Sequence, residues 1–560
     1  MKTTIGTTLL FVCLSLASIS SGQSLPDSTI KKIDSIFADA DNNNIPGYAI
    51  GVVRNDSLVY SKGYGMANLE YGVPITPETI FHMASVSKQF TAYSIVLLAR
   101  QGKLNLDDDV HKYLSWFPDL KEKITIRNLL NHTSGIRDQW QLLTISGTRL
   151  DDVITQDQII KVLSKQQALN FHPGEKYSYS NSGFTMLAEI VRSVTGQSLR
   201  QFTDSAIFKP LGMNNTHFHD NYTEIVKNRS YSYDRIDGTH FANAILSYSN
   251  AGATSLFTNI NDMSKWIMNF YDHKVGDQKD IDELTTRGKL NNGKQITYAL
   301  GISVGEHNGW KQFSHSGGDA GYRTYLTVFP DLKMGIAVFS NLGDGSPWDK
   351  AYQVADLFIK DTTKDELAQR SKRDSADANL KDTARYAAYM GDYISEDGAQ
   401  FTFTIQNRRV YRKAYGQSSL LVRNDKDTFS MFSDPTVKFI FSKTSGNDFI
   451  VNQYWPSNTR LLKKYLTDTT LSDEQLKLYT GIYYCPELDC KYGIALKDHH
   501  LILTNNKYND AKLTLAGPDH LLSDSWWMDH LVVIRNPKKQ VTGFEVNSGR
   551  IMHLRFDKIE

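Results

Sequence analysis

The chain has 560 residues and a mass of 63.4 kDa, room for roughly three or four domains of ordinary size. Hydrophobic residues make up 40% and charged residues 22%, a globular composition that excludes the fibrous and disordered classes. Lys+Arg 62 against Asp+Glu 61 leaves a net charge of +1, which gives no electrostatic reason to bind nucleic acid or an acidic membrane surface.

The first predicted element is a leader. Met1-Lys2 carries positive charge, Leu9 to Leu16 is an apolar run, and Ser20-Ser21-Gly22 offers small residues for cleavage. This pattern predicts a secretory signal peptide over 1–22 and a periplasmic or extracellular protein. No later stretch approaches the ~20 apolar residues of a transmembrane helix.

Residues 23–360 mix strands and helices. Tyr48 to Val53 and Leu58 to Tyr60 flank the polar turn Arg54-Asn55-Asp56-Ser57 and predict a hairpin. Ser85 to Gln101 predicts a helix ended by Gly102, and Gly183 to Thr195 another stopped by Gly196. Tyr322 to Phe329 and Met334 to Ser340, joined at Pro330-Asp331, predict a second hairpin. The two hairpins flank a largely helical middle, so an antiparallel sheet built from both ends, with helices packed on it, is expected.

Residues 361–383 are charged and poor in apolar residues, a solvated connector. Short alternating segments follow, such as Phe401-Thr402-Phe403-Thr404-Ile405 and Leu501-Ile502-Leu503, and Tyr389-Met390-Gly391-Asp392-Tyr393 is echoed by Tyr479-Thr480-Gly481-Ile482-Tyr483. Two small antiparallel β-barrels, 384–468 and 469–560, are predicted, because closure removes exposed sheet edges. Trp526-Trp527 is read as core of the second. Cys485 and Cys490 are the cysteines left after leader removal, and an oxidising compartment would permit a short-loop disulfide between them.

Ser85-Val86-Ser87-Lys88 opens the first strong helix. The spacing puts hydroxyl and ammonium on one helical face, and the helix N-terminus favours negative charge near Ser85. A serine needs a base to become a nucleophile, and a desolvated lysine is one. Tyr179-Ser180-Asn181 follows just before a helix, and His315-Ser316-Gly317-Gly318 leads into a strand. His217-Phe218-His219-Asp220 lacks further ligands for a metal, and Asp39-Ala40-Asp41-Asn42-Asn43 lacks the glycine and glutamate of a calcium loop. No metal or cofactor is expected.

Taken together, these motifs resemble the serine β-lactamase and penicillin-binding-protein superfamily, above all class C β-lactamases and the peptidase S12 family. Ile126 to Gly135, Pro210-Leu211-Gly212-Met213 and Gly321-Tyr322-Arg323-Thr324 add to the likeness. The resemblance implies an α/β (α+β) β-lactamase/transpeptidase-like domain, an antiparallel sheet flanked by helices plus a helical lobe, followed by two lipocalin-like barrels. It also implies roles. Ser85 would carry the acyl group, Lys88 would hold or take its proton, and Tyr179 would serve as general base and acid, its pKa lowered by Lys88. Asn181, His315 and Ser316 would bind substrate, with the backbone N–H groups of Ser85 and Gly318 as oxyanion hole. Many members have lysine where this chain has His315. That departure, with the two barrels, resembles D-stereospecific aminopeptidases and related esterases and amidases.

The expected function is therefore an exported serine hydrolase. Its substrates would be small molecules or short peptides, cell-wall-derived or with D-residues among them, cleaved at amides or esters. A class C-type β-lactamase or penicillin-sensitive D-alanyl carboxypeptidase is one alternative, and a non-catalytic ligand-binding or sensor relative another. The sequence fixes no oligomeric state.

Overall fold

Strands β1 (Tyr48–Arg54) and β2 (Ser57–Tyr64) form the first hairpin. β3 (Ser303–His307), β4 (Trp310–Asp319), β5 (Tyr322–Phe329) and β6 (Met334–Ser340) follow as antiparallel neighbours. The six-stranded order is β3-β4-β5-β6-β1-β2. The two ends of the region meet where β1 pairs with β6, from Tyr48↔Ser340 to Arg54↔Met334. Ala49 and Val53 of β1 enter a core with the central helices, while Ile50 and Val52 enter a second core with the helices Asp27–Ile36 and Pro347–Ala355. Burial on both faces explains why this strand reads as one continuous apolar run. The computed structural model describes residues 25–359, 380, 382–414, 417–432, 434, 436–446, 448–455, 458–466, 471–517 and 519–560. The expected leader 1–22 and nearly all of the connector 361–383 lie outside the described residues.

Three helices carry or support the chemistry: α1 (Lys88–Arg100), α2 (Gln139–Ile145) and α3 (Asn181–Thr195). α1 is buried almost all round and packs on α3, so it is the central helix of the lobe. No helix among the described residues is long and apolar enough to cross a membrane.

Two closed eight-stranded antiparallel barrels follow, from Gly391 to Tyr465 and from Gly481 to Lys558. In each, first and last strands pair, as at Asp392↔Tyr465 and Tyr483↔Lys558. The repeated Tyr-x-Gly-x-Tyr does the same work twice. Tyr393 Oη donates to Tyr389 O at 2.8 Å, and Tyr483 Oη donates to Tyr479 O at 2.6 Å. The glycines between them, Gly391 and Gly481, take φ of 131° and 145°, which a side chain would resist. Cys485 and Cys490 are register partners in the first strand pair of the second barrel, both as free thiols. Trp526 departs from expectation. It lies in a turn rather than a strand, 53% exposed and edge-on to Trp527, which packs against Tyr508.

The second barrel is fastened to the catalytic region by a buried cation. Arg137, 1% exposed, pairs with Glu487 through Nη1 at 2.8 and 2.9 Å. It also donates to Met552 O, His553 O and Ala168 O. Around it, Gln141 Nε2 donates to Ser548 O at 2.6 Å and Tyr492 Oη to Ile145 O at 2.9 Å. These bonds are what fix the barrel relative to α2.

Candidate active site

Ser85 sits in the helical turn Ala84–Ser87 that runs straight into α1. Ala84 takes a left-handed backbone, φ 47°, a strained state of order 1 kcal/mol for a residue with a Cβ. Ser87 Oγ clamps the turn, donating to Ala84 O at 2.5 Å and accepting from Leu256 N at 3.0 Å. β4 lies hard against the same turn: a Cβ on Gly317 would come within 2.4 Å of Met83 O. Only glycine allows that approach, which sets Gly318 beside Ser85 in the pocket wall.

Lys88 follows one turn on, with no exposed surface. Its Nζ bonds Ser85 Oγ at 3.0 Å, Asn181 Oδ1 at 2.8 Å and Ala253 O at 2.6 Å. Burial strips the ammonium of water and brings its pKa down to about 7. Asp319 opposes that fall, Arg550 adds to it, and Asp138 opposes it. A neutral amine has two N–H donors and one lone pair. Asn181 Oδ1 and Ala253 O take the donors, so the lone pair faces Ser85.

The amide of Asn181, the first residue of α3, is oriented by Asp138. Asp138 Oδ2 accepts from Asn181 N and Nδ2, both at 2.8 Å, leaving Oδ1 for Lys88. Asp138 also caps α2, accepting from Trp140 N at 3.1 Å, so one carboxylate ties two helix starts together.

Tyr179 lays its ring 5.0 Å from Lys88 Nζ and 4.1 Å from the ring of His132, whose Nδ1 accepts from Ser180 N at 3.2 Å. Its Oη closes no hydrogen bond among the described residues, although the neighbouring Ser85 hydroxyl acts on it in the acidifying direction. Burial dominates and drives the phenol well above its ordinary range. The expectation that Lys88 lowers the Tyr179 pKa is therefore corrected: desolvation wins, and the resting group is a neutral phenol.

His315 faces the same pocket but offers substrate no nitrogen. Nδ1 bonds Ser316 O at 2.6 Å, and a carbonyl only accepts, so Nδ1 holds the proton. Nε2 then accepts from Tyr298 Oη at 2.7 Å. Burial, with Lys88 nearby, brings the His315 pKa down to about 3. Ser316 is exposed to the cleft. Ser85, Tyr179, Asn181, His315, Gly318 and Arg550 thus line one pocket of about 430 Å³. A larger cavity of about 790 Å³, walled by both barrels, shares Tyr179 and Arg550 with it.

Asp138, Tyr298 and Arg550 are absent from the sequence-derived set. Asp138 had a legible signal as a helix cap, whereas Arg550 had none. Among the described residues, His217, His219 and Glu224 could share a metal ion. Arg200 holds both Glu224 oxygens at 2.6 and 2.8 Å, an arrangement that competes with any cation there.

A family model described as Beta-lactamase matches residues 33–358, more than half of the chain. Penicillin-binding protein 4* of Bacillus subtilis is 27% identical over 413 residues, 70% of this chain and 90% of that protein. A D-aminopeptidase of Brucella anthropi is 29% identical over 325 residues, 58% of this chain, and the match spans only 61% of its length. The octameric penicillin-binding protein homologue from Pyrococcus abyssi has the same fold, with a TM-score of 0.54 at 24% identity, covering 78% of this chain and 99% of that one.

Proposed function

The chain belongs to the beta-lactamase family, and we propose that it is an exported serine hydrolase acting through an acyl-enzyme on small amides, short peptides or esters. One observation carries this reading: a buried Lys88, with a pKa of about 7, bonded to Ser85 Oγ at 3.0 Å. The relatives' names add weight to amide and peptide substrates, D-configured ones included.

In the proposed cycle neutral Lys88 takes the Ser85 proton as Oγ attacks the substrate carbonyl carbon. The carbonyl electron pair moves to its oxygen, which the N–H groups of Ser85 and Gly318 receive. As the tetrahedral species collapses, the bond to the leaving amine or alkoxide breaks. The neutral Tyr179 phenol gives that group a proton and regains one from the Lys88 ammonium. Water then attacks the acyl carbonyl along the reverse proton path, releasing the acid and restoring Ser85. Ser316 contributes a hydroxyl to the substrate, while His315 shapes the pocket as a neutral ring.

The leader 1–22, the division into 23–360, 384–468 and 469–560 around the connector, and a Cys485–Cys490 disulfide belong to the same proposal. A fluorophosphonate probe tests the central step: labelling of wild type that is lost in Ser85→Ala is expected, and labelling that persists in that variant overturns it. Turnover of a chromogenic cephalosporin faster than of p-nitrophenyl esters or D-aminoacyl anilides would move the reading to a β-lactamase.

A further inference from the structure

The third motif supplies no cation, because His315 is neutral and both its nitrogens are occupied. Lys88 faces inward, held by three protein oxygens. The pocket nevertheless contains a fixed positive charge, and it comes from another part of the chain. Arg550 stands in the turn between the barrel strands Val541–Ser548 and Ile551–Lys558. Its backbone is pinned to the catalytic region: N donates to Gln141 Oε1 at 3.0 Å, and O accepts from Asn170 Nδ2 at 2.9 Å and Asp138 N at 3.4 Å.

The guanidinium is placed but not satisfied. It lies 4.8 Å from the Tyr179 ring centre, with Nη1 3.6 Å from Asp138 Oδ2. At that distance Asp138 attracts without completing a hydrogen bond, and its Oδ2 already accepts two N–H groups from Asn181. The side chain remains 47% exposed, toward the pocket it lines. The other nearby cation is differently engaged: Arg323 Nη1 donates to Ala320 O and Tyr322 O. A planar fork of free N–H donors held rigidly above the proton-donating phenol matches a carboxylate in bidentate geometry.

We propose that Arg550 is the anion anchor of the catalytic pocket, so that preferred substrates carry a carboxylate in the group that leaves, as a peptide with a free C-terminus does. The placement on the leaving side rests on the acyl-enzyme reading above, since Tyr179 is the proton donor there; the preference for an anion does not. The second barrel is then part of the substrate site. Arg137 and Glu487, which dock it, act as positioning residues for Arg550.

The test uses the full-length protein and a matched pair of N-acetyl dipeptides, one with a free C-terminal carboxylate and one with a C-terminal carboxamide, each in D- and L-forms. In wild type the kcat/KM ratio of carboxylate to carboxamide is expected at roughly 10- to 100-fold, the worth of a charge-assisted pair. It should collapse toward one in Arg550→Gln and be partly kept in Arg550→Lys. A wild-type ratio at or below one, or a ratio unchanged in Arg550→Gln, overturns the proposal. Titration calorimetry of the same pair on Ser85→Ala, with and without Arg550→Gln, separates the two readings. A carboxylate preference in binding that Arg550→Gln abolishes upholds the anchor even without turnover. Turnover lacking that preference upholds the hydrolase and removes the anchor, and so does the absence of any carboxylate-dependent binding.

Discussion

The pH dependence of acylation follows directly from the surroundings of Lys88. A solvated lysine, with a pKa near 10.4, is neutral in roughly one molecule in 3,000 at pH 7. With its pKa at about 7, Lys88 is neutral in about half of the molecules, a gain of about three orders of magnitude in available base. The neutral form is the active one, so kcat/KM should fall about tenfold per pH unit below 7 and level off above about 8. Two substitutions move this limb in opposite directions. Asp319→Asn removes a carboxylate that holds the Lys88 pKa up, so the limb shifts to lower pH. Arg550→Gln removes a cation that pushes it down, so the limb shifts to higher pH. The assay is kcat/KM for a neutral p-nitrophenyl ester from pH 5 to 9.5 at constant ionic strength, with the Ser85→Ala rate subtracted. A flat profile over that range, a limb near 10, or both substitutions shifting the same way would refute Lys88 as the base.

Arg137→Ala should destabilise the protein by about 3–5 kcal/mol, because it strands Glu487 as a buried charge held by little more than Gln167 N. Burial already raises the Glu487 pKa, and losing Arg137 raises it further, so the folded state binds that proton more tightly than the unfolded one. The deficit should shrink as pH falls through the raised value; urea titrations at pH 8 and pH 5 that show equal deficits contradict this. Tyr179→Phe deletes a buried hydroxyl with no hydrogen-bond partner among the described residues, so stability should hold or rise by about 1 kcal/mol while kcat drops by about 10²–10⁴. Scanning calorimetry beside steady-state kinetics checks both, and a loss of stability with near-normal kcat contradicts it. Protein recovered from an oxidising compartment should show no thiol reactive toward a disulfide reagent after denaturation, and two after reduction, if Cys485 and Cys490 close across their strand pair.

Local chemistry made much of this molecule legible. The apolar runs Tyr48 to Val53 and Met334 to Ser340 are buried on both faces of one sheet, a state that leaves its mark in each strand separately. Tyr-x-Gly-x-Tyr was readable twice because one bent strand start needs the same glycine and the same tyrosine each time. Ser85 and Lys88 were readable because three residues along a helix bring side chains together whatever surrounds them. Trp526 was misread because its hydrophobicity says nothing about whether a turn or a strand carries it.

The protonation states followed another logic. Tyr179 and His315 are both neutral because of what packs around them, and no neighbouring residue in the chain encodes that burial. Arg550 is the extreme case: in the sequence it is one surface arginine after a glycine in a hairpin turn. Its place above Tyr179 exists only because Arg137 finds Glu487 and the second barrel seats on α2. Sequence by itself determined the elements, the nucleophile and its base, since these depend on contacts a few residues apart. Tertiary structure alone decided which groups are charged and where the pocket's free cation stands, because desolvation and domain docking are sums over residues far apart along the chain.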